Sequence, residues 1–371
     1  MEKIVIIGGG IIGITLANYL DTTKYAVTLI DDQTGQATKA SAGIISPWLS
    51  KRRNKRWYRL AKDGAAFFEK LAKDMSLSNE IFAKNGTILL RKNELESLAA
   101  LAKERKKDAP EIGEIHLLSA KKTADKLPLL APQESLFITG GARLDGALYL
   151  EHMKKLAVQK QIRVIHEKAK LKRQNDHWKV YTKNQQILAD KVILAAGPNC
   201  KTLLESLDYH YQVDLRPQKG QLLVFKTNQV QSKQWPVAML DNEADLIPAN
   251  NGHIIIGATH EDNARWDLQP TSTAFDQLTN KSKDFLQAPE SLLKNSFDYR
   301  VGTRAYTSDF APFFGALTDE PSLFAASGLG SSGLTTGPYI GYLLANYLNT
   351  GRWPDKDYQK PLDTYIQKHP F

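Results

Sequence analysis

Cysteine is nearly absent: Cys200 stands alone in 371 residues. One thiol makes no intrachain disulfide and no thiolate-rich zinc site. No metal site is expected. No apolar run approaches the roughly 20 residues that a membrane-spanning helix needs. The apolar N-terminus is broken by Gly8, Gly9, Gly10 and Gly13 and has only Lys3 as a basic flank, so it does not read as an export signal. A reducing cytoplasm is the expected compartment. Repeats and low-complexity linkers are missing too. No sign of charge dominates: 49 Lys+Arg against 40 Asp+Glu gives +9. The visible surplus lies in residues 51–56, 103–107 and 168–173, which read as solvated faces, so a nucleic-acid partner is not expected.

What is present is ordinary globular material. Hydrophobic residues make up 42% and charged residues 24%, which excludes disorder, collagen and coiled coil. The length suits roughly two domains. Residues 4–7 form a continuous apolar run, as in a strand buried on both faces. Glycines turn the chain at 8–13, helical spacing follows over 14–20, and residues 26–30 read as a second strand ending at Asp31. Such a βαβ start implies a parallel sheet. Further helices are predicted over 57–75, 94–107, 144–159 and 336–348. Strands are predicted over 86–91, 162–165, 178–182, 191–198 and 323–328. The strands at 220–225 and 253–258 sit among turn-like stretches and suit an antiparallel sheet.

Gly8-x-Gly10-x-x-Gly13 lies between the first strand and the first helix. Gly8 permits the tight turn, Gly10 lets backbone approach a pyrophosphate, and Gly13 allows close helix–strand contact. The helix N-terminus offers free N–H groups and about half a positive charge to phosphates. Asp31 follows at the end of the second strand, placed to accept from ribose hydroxyls and to disfavour a 2′-phosphate. The motif alone leaves FAD and NAD open. The fold expected is α/β, with a Rossmann-type cofactor domain interleaved with an α+β domain on a mainly antiparallel sheet. Residues 1–50, 140–215 and 300–371 are assigned to the first, and 51–139 and 216–299 to the second.

Several further segments extend the pattern. They are 38–45 (TKASAGII), 140–145 (GGARLD), 192–198 (VILAAGP), 216–221 (RPQKGQ), 256–261 (IGATHE), 302–309 (GTRAYTSD) with Pro312 and Gly315, and 328–334 (GLGSSGL). In this order they resemble the D-amino acid oxidase-like flavoproteins, a family that includes glycine oxidases, D-amino acid dehydrogenases and sarcosine oxidases. The resemblance implies FAD, held non-covalently, since no cysteine lies near Arg304. It implies that Gly8, Gly10, Ile12 and Gly13 hold the pyrophosphate and Asp31 the adenosine ribose. Ser41, Gly43 and Ile44 would lie along the pyrophosphate and ring side, and Ala169 against adenine. Gly197 would close over the cofactor, with Gly330, Gly333, Leu334 and Thr335 at the pyrimidine edge of the ring.

The resemblance also gives Arg304 the substrate carboxylate, which a guanidinium binds with two parallel hydrogen bonds. Tyr306, Trp48, His260 and Tyr339 are the expected pocket walls. The implied reaction is oxidation of the amine of glycine or a D-amino acid, with oxygen or a quinone as electron acceptor. Departures from the family pattern are Ala305 for a common proline, Asp245 for a common tyrosine, Leu329 for a frequent histidine, and no lysine at 254–256. Two alternatives are kept: a flavoenzyme acting on a carboxymethylamino-modified tRNA base, and a flavin-binding protein without turnover. Oligomeric state is left open.

Overall fold

The computed structural model describes residues 1–207, 211–242 and 244–368. Two large sheets are built from alternating stretches of chain. Their strands, in chain order, are β1 (Glu2–Ile7), β2 (Tyr25–Ile30), β3 (Thr87–Leu89), β4 (Ile115–Leu118), β5 (Ser135–Ile138), β6 (Arg163–Ile165), β7 (Lys191–Leu194), β8 (Arg216–Lys226), β9 (Val237–Met239), β10 (Asp245–Pro248), β11 (His253–Gly257), β12 (Phe297–Tyr306), β13 (Phe313–Ala316) and β14 (Leu323–Ser327). The principal helices are α1 (Ile11–Tyr19), α2 (Lys55–Asp74), α3 (Gly146–Gln159) and α4 (Gly333–Thr350).

The first sheet has the order β13-β14-β7-β1-β2-β6. Only its edge strand β13 is antiparallel; the other pairings are parallel. Ile4, Val5, Ile6 and Ile7 of β1 are all buried, as a central strand covered on both faces requires. The second sheet has the order β12-β8-β11-β10-β9-β3-β5-β4 and is antiparallel except between β9 and β3. The α/β class with a parallel and a mainly antiparallel sheet is thus present. Strand β12 runs unbroken through the expected domain boundary at residue 300 and belongs to the second sheet along its length.

Several helix boundaries differ from the sequence expectation, each for a local reason. The first helix begins at Ile11, because the Ile14 N–H already reaches Gly10 O. The helix expected from 144 begins at Gly146, because residues 142–144 are a short strand and Asp145 is the cap. Its Oδ1 accepts from the N–H groups of Ala147 and Leu148, both at 3.0 Å. Asp145→Ala should lower stability by about 1 kcal/mol, seen as a lower denaturant midpoint with an unchanged slope. The last helix begins at Gly333 rather than 336. It packs so tightly on α1 that a Cβ at Gly341 would stand 2.7 Å from Ile12 O. Among the described residues, no helix is long and apolar enough to cross a membrane.

Candidate active site

A cavity of about 900 Å³ lies where the two sheets meet. One wall comes from the C-terminal ends of the parallel strands, at Ile7, Ile30, Ala195 and Ala326. Ligands of open α/β sheets bind at that end. The facing wall is one surface of the antiparallel sheet, including Leu222, Met239 and Arg304.

The cofactor side follows from the opening turn. Gly8 has φ +106°, and a Cβ there would meet Ala195 O at 2.4 Å. Glycine is what lets the chain pass so close to β7 on its way into α1. Gly10 caps α1 with no side-chain hydrogen bond. Thr38 Oγ1 accepts from the Ile11 N–H at 3.0 Å, fixing one donor and leaving that helix end facing the cavity. Asp31 lines the cavity at the end of β2, with Lys154 Nζ 3.9 Å away. These features fit a diphosphate on the helix N-terminus and a ribose on the carboxylate.

Of the residues expected to hold the cofactor, Gly8, Gly10, Ile12, Asp31, Ser41, Gly43, Ile44, Ala169, Gly197, Gly330, Gly333, Leu334 and Thr335 all line this one cavity. Gly13 does not. It is packed against the turn, where an added Cβ would strike Gly8 O at 1.9 Å, so its role is the helix–strand contact.

Arg304 lies on the other side. Its guanidinium folds over Gly220, where an added Cβ would stand 2.7 Å from Cζ. Nη1 donates to Thr259 O at 2.9 Å and to Gln218 Oε1 at 3.2 Å, and lies 3.4 Å from His260 Nδ1. Gln218 is itself oriented by donating from Nε2 to Asp262 Oδ1 at 3.0 Å. No carboxylate of a described residue pairs with the Arg304 guanidinium. Burial holds its pKa below the ordinary arginine value. It is a positioned cation with donors to spare, facing a cavity.

The four expected wall residues divide. His260 lines the cavity, with Nδ1 3.1 Å from Gln218 Oε1. Trp48 and Tyr339 lie elsewhere, and Tyr306 stands behind the lining, near enough to Arg304 and Arg52 to act on both. Trp48 is 1% exposed and packs in the hydrophobic core. The Tyr306 ring packs beneath Gly330 and edge-on to Phe310. Tyr339 belongs to an aromatic cluster with Phe67 and Tyr342, and its hydroxyl is 3.0 Å from that of Tyr358. Trp48 and Tyr339 do not wall the site; they fill the layers that support it.

Among the other charged side chains lining the cavity are Arg52 and Asp245. Arg52 lines it, stacks over Trp57 at 4.6 Å and donates from Nη2 to Ser331 Oγ at 3.1 Å. Its Nη1 is buried with no partner among the described residues. Asp245 also lines the cavity, and burial pushes its carboxyl up to about 7. The rest of the basic run 51–56 is partly spent on the protein: Lys51 pairs with Glu94 at 2.7 Å and Arg56 with Asp357 at 2.6 Å. Among the described residues, no cluster of His, Cys, Asp or Glu is placed to hold a metal. Cys200 is buried, with Sγ against Leu194 O and Ala326 O, and burial pushes its thiol up to about 12.

Fold and cavity together define a dinucleotide-binding α/β protein with a second sheet facing its cofactor site. The sequence model of the DAO family, FAD dependent oxidoreductases, matches residues 3–347, and the chain belongs to that family. FAD is its cofactor. The chain is 37% identical over 353 residues to YurR of Bacillus subtilis (strain 168), an oxidoreductase described as uncharacterized, covering 93% of this chain and 94% of that one. It is 25% identical to a glycine oxidase of Pseudomonas aeruginosa PAO1 over 359 residues, covering 95% and 96%. Among solved structures, iminodiacetate oxidase from Chelativorans sp. BNC1 superposes with a TM-score of 0.89 at 27% identity, covering 98% of each chain.

Proposed function

We propose that this FAD-dependent oxidoreductase oxidises the amine of glycine or a D-amino acid to an imino acid, which water converts to a keto acid and ammonia. FAD, held by the glycine turn and Asp31, would supply the oxidising power for loss of the α-hydrogen with its electron pair. The protein's part is to bind and orient. Arg304 grips the carboxylate with its spare donors, which fixes the α-carbon relative to the ring site. Gln218 and Thr259 O keep the guanidinium from swinging out. Leu222 and Met239 give the substrate side an apolar floor. On this reading residues 1–50, 140–215 and 300–371 chiefly carry FAD, and 51–139 and 216–299 shape the substrate side.

The observation that carries the proposal is the Arg304 guanidinium, turned into the cavity with no acidic partner among the described residues. It is checked by an anaerobic screen of glycine, D- and L-amino acids and N-methylglycine, read by flavin absorbance. Bleaching by glycine or a D-amino acid supports it. An oxidised spectrum unchanged by every amine removes it.

A dicarboxylic secondary amine is a second reading. It is favoured by Arg52, a second guanidinium lining the same cavity. Bleaching by iminodiacetate in the same screen, and its loss in Arg52→Ala, would select it.

A further inference from the structure

Asp245 sits in a row that crosses the second sheet. Leu89 pairs with Met239, Met239 with Asp245, Asp245 with Gly257, and Gly257 with Leu222. Cross-strand partners share a face, and Leu89, Met239, Asp245 and Leu222 all line the cavity. The row is thus an apolar floor with one carboxyl in it.

That carboxyl makes no hydrogen bond or ion pair with any described residue. No charged group of a described residue comes within ion-pair distance of it. Arg91 is the nearest influence, yet its Nη1 donates to the carbonyls of Leu90, Met239 and Leu240 at 2.6–3.0 Å. Asp241 Oδ2 accepts from the Lys92 N–H at 3.0 Å, and Glu94 pairs with Lys51. His260 and Arg304 face the cavity from across the sheet, held by Gln218. A carboxyl left in an apolar wall without a donor is costly unless something else supplies one.

The register sets its distance from the arginine. Arg304 covers Gly220, which lies two residues from Leu222 on β8, and Asp245 lies two strands from Leu222. The Cα of Asp245 is therefore roughly 12 Å from that of Gly220. A small amino acid with its carboxylate on Arg304 spans much of that gap and leaves its amino group facing Asp245.

We propose that Asp245 receives the substrate's amino group, pairing with it as ammonium on entry and then taking one of its protons. The N–H bond breaks, the proton goes to Oδ, and the nitrogen keeps its electron pair. That pair then supports departure of the α-hydrogen to the oxidising cofactor. The proposal rests on the reading of Arg304 as carboxylate anchor. The titration of Asp245 suits a proton acceptor at neutral pH. A carboxyl at about 7 is ionised above that pH and neutral below it, so kcat/KM rises through this range.

The test compares wild type, Asp245→Asn and Arg304→Ala, each loaded with FAD. Two ligands that cannot be oxidised are titrated by flavin absorbance: acetate, which has only the carboxylate, and 2-aminoisobutyrate, which adds the amine but has no α-hydrogen. Asp245→Asn should bind acetate within about twofold of wild type and 2-aminoisobutyrate about tenfold more weakly. Its kcat/KM near pH 7.5 should fall about 100-fold, and the gap should close to under tenfold near pH 10, where solution supplies the neutral amine. Equal weakening of both ligands, or a limb near pH 7 that survives the substitution, overturns the role of Asp245 alone. If wild type and Arg304→Ala bind acetate alike, the carboxylate anchor fails and this proposal falls with it.

Discussion

Arg304→Ala is expected to lower kcat/KM for the amino-acid substrate by about three orders of magnitude while the purified protein stays yellow. A bidentate charge-assisted pair carries roughly 4 kcal/mol of carboxylate recognition, which is a factor of about a thousand. FAD should be retained, because the guanidinium lies against β8 and is held by Gln218 and Thr259 O; the glycine turn expected to take the phosphates is built on the other sheet. Arg304→Lys should recover only part of the loss, since one ammonium does not reproduce the planar fork. Steady-state kinetics beside the flavin spectrum checks both statements. An unchanged kcat/KM, or a colourless protein, contradicts them.

The second large effect lies at the opening turn. Gly8→Ala should abolish FAD retention and destabilise the protein by about 3 kcal/mol. The added methyl would sit 2.4 Å from Ala195 O and 2.6 Å from the Ala196 Cα. Both are backbone atoms following a central strand, so nothing flexible yields. The positive φ adds its own penalty. Gly10→Ala is the matching control. A Cβ at Gly10 meets only Thr38 Oγ1, at 3.5 Å, and its φ of −71° suits alanine. It should keep near-normal stability yet bind FAD at least about tenfold more weakly, because the methyl obstructs the approach to the phosphates. FAD titration of the apoproteins and a denaturation curve separate the two variants. Equal stability of both would refute the steric account of Gly8.

The parts legible in the sequence are those where one physical demand fixes residue type. The turn from β1 into α1 needs glycine at set spacings, and β1 needs unbroken apolar residues because both faces are covered. Arg304 is legible through the segment around it. Strand β12 is not, although it is ten residues long. Its burial does not alternate: it is an edge strand whose only sheet partner is β8, its Thr303 N–H donates to Gly35 O on the other side, and it shares residues with both the cavity and the rim. The helix Ser272–Ser282 escapes the sequence reading too, though Thr271 accepts from the Ala274 N–H as an N-cap. Its polar composition leaves little periodicity to read.

Pocket walls are the least legible part. Tyr306, Trp48 and Tyr339 are bulky residues near recognisable segments, but facing a cavity is decided by strand register and helix rotation, which composition does not reveal. Asp245 shows the reverse. In the sequence it stands out only as a departure from tyrosine, and its meaning comes from the cross-strand row of Leu89, Met239 and Leu222.

The tight seam between α1 and α4 bears on biosynthesis. Gly341 lies against Ile12, so the helix whose N-terminus faces the cavity is completed by a segment made more than 300 residues later. A nascent chain emerging from the ribosome therefore has the glycine turn early but no closed receptacle for the flavin. Loading belongs after the late helix has docked, and in a cell short of riboflavin the vulnerable species is a chain whose seam is still open.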